Sequence, residues 1–212
     1  TLTPKLAAQL SELIEQLPRL DAINNSQLKS LEEHPADSRE LLRRQVEQLK
    51  ERAVELQQIS ADIHVRSIAT KLNKIFPDLA GGEASDPKDA DLLRAALLIA
   101  LLDEEEIDID AYVRLIERMA ADISKKIAKD ASQADKLAAL DQYLFQDNGF
   151  HGSRFDYYHR ANSYLNRVID DREGLPITLS VLYIELGRRL GLTIDGVGLP
   201  GHFVVQHVDA DK

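Results

Sequence analysis

The chain has no cysteine among its 212 residues. Disulfides, thiolate metal sites, iron–sulfur clusters and cysteine nucleophiles are therefore excluded before any motif is considered. Long apolar runs are also missing, because the longest one, Ala95 to Leu102, is far below the roughly 18 residues that a membrane span requires. The N-terminus lacks a basic and apolar signal pattern. These absences predict a cytoplasmic protein without a membrane partner.

A basic stripe that could neutralise phosphates is missing too. The formal net charge is −10, and most of the acidic excess lies in residues 83–110, which contain ten acidic and two basic residues. Nucleic acid is therefore not expected as a partner. The acidic cluster at 103–110 lacks the glycine and the ligand spacing of a calcium loop, so we interpret it as a solvated turn between helices.

The signatures of cofactor sites are absent as well. No two histidines lie four residues apart in the sequence. Neither a glycine-rich phosphate loop nor a Gly-x-Ser-x-Gly elbow occurs. We therefore expect neither a metal nor another cofactor.

Hydrophobic residues make up 44% of the chain, which is enough for a real core in one medium or two small domains. In residues 1–82, apolar side chains recur at helical spacing, as at 6–17 and 42–56. A further helix is expected at 68–76, and prolines and glycines then favour a linker at 77–88. The sequence thus predicts a helical extension, either a bundle or a helical-repeat array rather than a true coiled coil.

Residues 83–212 are predicted to form a second domain that begins with three helices. Asp86-Pro87 marks the start of the first helix, with an N-cap followed by a proline at the first helical position. Ser132 and Asp135 form a capping box for the third. A structured loop, rich in aromatic and polar residues, is expected at 150–162.

A central helix and two strands follow this loop. Asn162 is expected to cap a short helix, and a strongly apolar helix then runs from about 174 to 190. Strands are expected at Thr193–Gly198 and His202–Val208, and alternation places His202 and every second residue after it on one face. The predicted fold class is α+β, predominantly helical, with a small antiparallel sheet.

Three separated motifs, together with two shorter upstream ones, carry a resemblance to a known family. The three are Asn162–Asp170, Gly174–Ser180 and Gly196–Phe203. With Asn148-Gly149-Phe150 and Tyr157-Tyr158 upstream, they resemble the SirB-one family of transglutaminase-like proteins over residues 88–212.

The resemblance implies a papain-like transglutaminase fold. In that fold a nucleophilic cysteine opens the central helix, a histidine on an adjacent strand takes its proton, and an aspartate on the next strand orients the histidine. Here the nucleophile position falls at or beside Pro176, and His202 matches the histidine. The orienting acid is expected beyond Lys212. We therefore expect a truncated chain, or a domain and sheet that are incomplete at the C-terminus.

Two hydroxyls near the start of the central helix are candidate nucleophiles. Thr178 or Ser180 could react with the help of His202, but capping of the helix is the favoured role of Thr178. For several of the candidate pocket residues, helix capping or core packing is as good an explanation as ligand binding. The residues expected to line a pocket with His202 are Asn162, Asn166, Tyr157, Tyr158, Pro176 and Gly201.

Two functions follow from these candidates. The first is a non-catalytic transglutaminase-like domain that binds a peptide or a partner protein in a groove around His202, and the missing cysteine favours it. The second is a hydrolase or acyltransferase that uses Thr178 or Ser180 with His202 and an acid outside this chain.

Overall fold

The computed structural model describes residues 35–77, 91–154 and 156–208. The chain divides after Ser60 into two compact units. The helix predicted at 6–17 and most of the linker predicted at 77–88 lie outside the described residues. The domain boundary predicted after residue 82 lies there as well and stays a prediction.

The described residues are predominantly helical and include a small antiparallel sheet, which confirms the predicted α+β class. No helix in these ranges combines the length and the apolar character that crossing a bilayer needs.

The longest element is helix α1, Pro35–Ile75. The sequence pattern predicts two separate helices here, and that prediction is wrong. Although the apolar spacing changes after Leu56, no glycine or proline occurs between Pro35 and Pro77. Since nothing in this stretch interrupts the backbone hydrogen bonding, one helix continues until just before Pro77.

Within the second unit, the end of α1 packs against helix α2, Leu92–Ala100. Ile68 is 2% exposed and forms a small apolar cluster with Leu98 and Leu101. His64 donates from Nε2 to the carbonyl oxygen of Leu101 across 2.7 Å. The last turns of α1 are therefore fixed to α2 by apolar contacts and by one directional bond.

Polar caps begin the next helices. Asp91 caps α2 by accepting from the backbone N–H of Arg94. The start predicted at Asp86-Pro87 lies outside the described residues. Helix α3, Ile109–Ser124, begins in the same way after Asp108. These carboxylates satisfy backbone donors that would otherwise lack partners at the helix start.

Helix α4, Gln133–Asp141, begins at the predicted capping box of Ser132 and Asp135, which is confirmed. A π-helical turn, Gln142–Asp147, extends this helix. It ends at Asn148-Gly149 as predicted, where Gly149 has a φ of +67°.

The predicted loop at 150–162 contains more regular structure than expected. Strand β1, His151–Gly152, pairs in parallel with strand β2, Glu173–Gly174. A 3₁₀ turn, Arg160–Ser163, leads into helix α5, Leu165–Asp171. The N-cap of α5 is Tyr164, so the prediction that Asn162 caps this helix is wrong.

Helix α6, Pro176–Arg189, is the predicted central helix. Its inward residues Leu182 and Leu186 are 1% and 0% exposed, and they belong to one core with apolar side chains of α2 to α5. Strands β3, Ile194–Leu199, and β4, His202–His207, form an antiparallel pair that packs on α6. The start of α6 and the β3–β4 turn are thereby held beside each other.

Candidate functional site

A cleft of about 770 Å³ opens where the first turn of α6 meets the β3–β4 turn. The described residues that line it are Tyr157, Leu175, Pro176, Ile177, Leu199, Gly201, His202, Phe203 and Val204. The structure therefore brings together four of the predicted site residues: Tyr157, Pro176, Gly201 and His202.

His202 begins strand β4, directly after the predicted Leu199-Pro200-Gly201 turn. Gly201 has a φ of +75°, a conformation that glycine adopts without the steric cost of a Cβ atom. Exposure then alternates along β4 with His202 and Val204 on the exposed face, so the predicted alternation is confirmed. In the described part of the chain, no residue forms a hydrogen bond with the His202 side chain, and its imidazole is open to a ligand.

Pro176 occupies the first position of α6. Proline is favourable there because the N–H that it lacks has no partner inside a helix. Leu175 before it is extended, with φ −73° and ψ 155°, as a residue that precedes proline prefers. Pro176 thus lies in the cleft with His202. The resemblance places a cysteine at or beside Pro176, and the proline ring offers no nucleophile.

The two candidate hydroxyls do not line the cleft. The hydroxyl of Thr178 donates to the carbonyl oxygen of Asn162 at 2.7 Å and lies 3.0 Å from that of Leu175. The hydroxyl of Ser180 donates to the carbonyl oxygen of Pro176 at 2.7 Å. Thr178 and Ser180 are each 8% exposed. Both protons are therefore directed at main-chain oxygens.

The predicted capping role of Thr178 is wrong in its chemistry. A cap accepts hydrogen bonds from the free N–H groups of the first turn, whereas the start of α6 has no side-chain cap. The Thr178 hydroxyl instead links the helix to the preceding loop through the carbonyl oxygen of Asn162.

Asn162 connects the two walls of the cleft. Its side-chain amide donates to the carbonyl oxygens of Asp156 at 2.8 Å and Tyr157 at 3.4 Å. Its own carbonyl oxygen accepts from the N–H of Leu175 at 3.1 Å and from the hydroxyl of Thr178. Asn162 is 8% exposed and lies behind the cleft, so it positions Tyr157 and Leu175 rather than contacting a ligand itself.

Asn166 and Tyr158 also lie outside the cleft. Asn166 is 2% exposed, and its amide donates to a carboxylate oxygen of Glu104 at 2.9 Å. Tyr158 is 93% exposed and meets Tyr157 edge to face, with the ring centroids 5.4 Å apart. The structure therefore does not bring these two predicted residues into contact with the space beside His202.

The acidic cluster lies in the turn between α2 and α3, as predicted, but it is not wholly solvated. Asp103 pairs with Arg160 at 2.7 Å, and Glu104 pairs with Arg167 at 3.3 Å. Within the described ranges, no group of three or more histidine, aspartate or glutamate residues could hold a metal ion. These acids attach the turn to the segment around α5.

Two partly buried tyrosines keep their protons at neutral pH. Burial, together with the hydrogen bond to Asp170, raises the pKa of Tyr112 far above its usual range. Burial and the hydrogen bond to Asp141 raise the pKa of Tyr183 in the same way. Both phenols are therefore donors and not bases, and neither lines the cleft.

Sequence reasoning missed the apolar lining of the cleft. These residues are Leu175, Ile177, Leu199, Phe203 and Val204. One usable signal was the alternation along β4, because it places Val204 on the same face as His202. Leu175, Ile177 and Leu199 stand next to a proline, where an apolar residue looks the same in sequence whether it is core or surface. Phe203 lies in β4 on the face opposite to His202, so alternation gives no signal for it.

Comparison with known proteins supports the class that this fold and site suggest. A family model described as the transglutaminase-like superfamily matches residues 110–212, which run from α3 to the end of the chain. The match thus supports a transglutaminase-like domain that contains the whole cleft.

Curated relatives match part of the chain. A UPF0162 protein of Xylella fastidiosa is 39% identical over 121 residues, which are 57% of this chain and 43% of that protein. A UPF0162 protein of Vibrio cholerae is 24% identical over 116 residues, 54% of this chain and 43% of the relative. The human F-box only protein 21 is 35% identical over 83 residues, 39% of this chain and 13% of that protein.

The alignment with the Xylella relative thus spans less than half of that protein's length. No solved structure matches the chain.

Proposed function

We propose that residues 83–212 form a non-catalytic transglutaminase-like domain of the SirB-one type, which binds a peptide segment of a partner protein in the cleft around His202. The observation that carries this proposal is that Pro176 and His202 line one cleft. The resemblance places the nucleophile of the related fold at or beside this proline. A cytoplasmic location and the absence of a nucleic-acid partner stay predictions from composition.

The lining of the cleft suits a peptide with apolar side chains. Ile177, Leu199 and Val204 are 49%, 50% and 41% exposed, although each is large and apolar. Exposed apolar side chains that are grouped around a concave surface are typical of binding sites. Tyr157 and His202 add two polar groups that can form hydrogen bonds with the backbone of a peptide.

The chemistry around His202 argues against catalysis. A hydroxyl nucleophile needs a base within roughly 3 Å, and donors must stabilise the oxyanion that forms. The hydroxyls of Thr178 and Ser180 are buried, and both donate to main-chain oxygens. His202 therefore remains available to bind a ligand and not to activate a nucleophile.

Replacing Tyr157 by alanine is expected to weaken peptide binding about tenfold or more, because an aromatic residue in the wall of a cleft is a typical energetic hot spot. A display library of random linear peptides is selected on the wild-type chain, and the affinity of the enriched peptides is then measured by calorimetry. Tyr158→Ala is the matched control, since Tyr158 is 93% exposed and does not line the cleft.

We expect the control to change the affinity by less than about threefold. Failure to enrich any peptide, or equal losses in the Tyr157 and Tyr158 variants, would argue against binding in this cleft.

The alternative function, a hydroxyl-dependent hydrolase or acyltransferase, predicts a reactive Thr178 or Ser180. We expect a fluorophosphonate probe to leave both hydroxyls unmodified, because each is 8% exposed and donates to a main-chain oxygen. Intact-protein mass spectrometry detects any added probe, and peptide mapping locates the labelled residue. Stoichiometric labelling that is lost in the His202→Ala variant would establish the hydrolase or acyltransferase function and contradict the binding proposal.

A further inference from the structure

We propose that the first half of α1 docks an acidic amphipathic helix of a partner protein. The docking surface is the α1 stripe, which consists of Val46, Leu49, Ala53 and Leu56. This surface belongs to the first compact unit, and the proposal is independent of the cleft function.

The α1 stripe has the spacing of a helix-pairing seam. Its members follow one another at intervals of three, four and three residues, which places them on one side of the helix. Val46, Leu49 and Leu56 are 47%, 40% and 45% exposed, and Ala53 is exposed too. From Val46 to Leu56 the stripe is roughly 15 Å long, at a rise of 1.5 Å per residue.

Charge is sorted around the α1 stripe. In a heptad frame with Val46 at position a, the flanking e and g positions hold Gln45, Lys50, Arg52 and Gln57. The glutamates of the same segment fall at b, c and f, away from the seam; they are Glu47, Glu51 and Glu55. The rim of the apolar surface is therefore basic or neutral, and the outer face carries the acids.

Lys50, on this rim, forms an exposed ion pair that can exchange for one with a partner helix. Lys50 lies 2.8 Å from Glu47, and both side chains are about two-thirds exposed. Such solvent-exposed pairs contribute little, because water screens them and two long side chains must be ordered. The ammonium group of Lys50 can therefore turn towards a carboxylate on a partner helix.

A second copy of the chain is a poor occupant of the same surface. In parallel pairing, g and e positions of the two helices meet, so Gln45 would face Lys50 and Arg52 would face Gln57, without any pair of opposite charge. An antiparallel copy that aligns the stripe with itself would place basic rim against basic rim. An acidic rim on the partner supplies the missing ion pairs and selects that partner over a second copy.

The test uses the 212-residue chain and two synthetic helical peptides. Both peptides carry leucine at positions a and d; the acidic probe has glutamate at e and g, and the basic probe has lysine there. We expect the acidic probe to bind about tenfold more tightly or better, with the preference falling as salt is raised.

Two variants with equal changes of charge distinguish the contribution of the rim to binding from that of the outer face. Arg52→Glu is expected to remove most of the preference for the acidic probe, because Arg52 lies at position g. Arg44→Glu, at the outer position f, is expected to keep it. Circular dichroism on both variants verifies that the helix is retained.

Several results would overturn the proposal. They are equal affinity for the two probes, no binding of either probe, and the same response in both variants. Concentration-dependent dimerisation in the ultracentrifuge that Leu49→Asp abolishes would identify a second copy as the occupant. Protection of the Leu49→Cys thiol from alkylation in the isolated monomeric chain would show that the chain itself covers the stripe.

Discussion

Replacing Leu182 by alanine is expected to lower the free energy of unfolding by about 2 to 5 kcal/mol. Leu182 is 1% exposed in the middle of α6, in one core with Leu93, Ile116 and Leu140. Truncation removes apolar contacts and leaves a cavity that the surrounding helices can fill only in part. Denaturant titration followed by circular dichroism measures the change.

Ile177→Ala is the control for this prediction. Ile177 belongs to the same helix but is 49% exposed in the wall of the cleft, so its truncation is expected to cost less than about 1 kcal/mol. An unchanged denaturant midpoint for the Leu182 variant, or equal losses for the two variants, would refute the placement of α6 at the centre of the core.

Asn162→Ala is expected to destabilise the domain by about 1 to 3 kcal/mol and to weaken peptide binding about tenfold. The variant leaves the carbonyl oxygens of Asp156 and Tyr157 without the amide that now donates to them. The loop that carries Tyr157 then loses its connection to the start of α6. Denaturant titration and calorimetry with the display-selected peptides give the two values.

Asn148→Ala is the control that separates a loss of stability from a loss of peptide affinity. Asn148→Ala removes one amide hydrogen bond to the carbonyl oxygen of Tyr143, away from the cleft. We expect that variant to lose stability while it keeps the affinity of the wild type at temperatures where both are folded. Equal affinities of the Asn162 and Asn148 variants would contradict a positioning role for Asn162.

Local signals in the sequence predicted the elements whose cause is local. The Ser132–Asp135 capping box formed because each residue satisfies the other's backbone donor over three residues. The strand pair followed from alternation on both sides of a Pro-Gly turn. The run of apolar residues before Leu190 identified α6 as the central helix, and its core position is observed.

Predictions failed where several local solutions competed. Asp91 is the N-cap of α2, although Asp86 also offers a carboxylate ahead of the same apolar segment in the sequence. Asn162 has the residue type of a cap, but its amide instead reaches carbonyl groups five and six residues earlier in the chain. Such a bond depends on how the whole loop folds, which no spacing rule describes.

Buried charge was also beyond a pattern-based prediction. Glu185 lies on α6 and is 3% exposed, and Arg189 approaches its carboxylate at 2.6 Å. The sequence shows only a glutamate with an arginine four residues later, which is typical of an exposed helix face. Its burial follows from the position of α6 among the other helices.

Some residues of the candidate site could be predicted from the sequence and others could not. His202 and Pro176 could be predicted because the resemblance assigns them positions in a known fold, and the structure places both in one cleft. Asn166 belongs to the same motifs, but its side chain is turned towards Glu104. Membership of a motif thus indicated an ordered residue, whereas the direction of its side chain required the tertiary structure.

Methyl NMR of the chain during titration with a display-selected peptide tests the central claim most directly. Ile177 and Val204 report on the cleft, and Ile116 and Val168, both 0% exposed, report on the core. The account predicts that saturating peptide shifts the methyl signals of Ile177 and Val204 and leaves those of Ile116 and Val168 in place, and that the Tyr157→Ala variant needs about ten times more peptide for the same shifts. Binding without a shift at Ile177 and Val204 would contradict it.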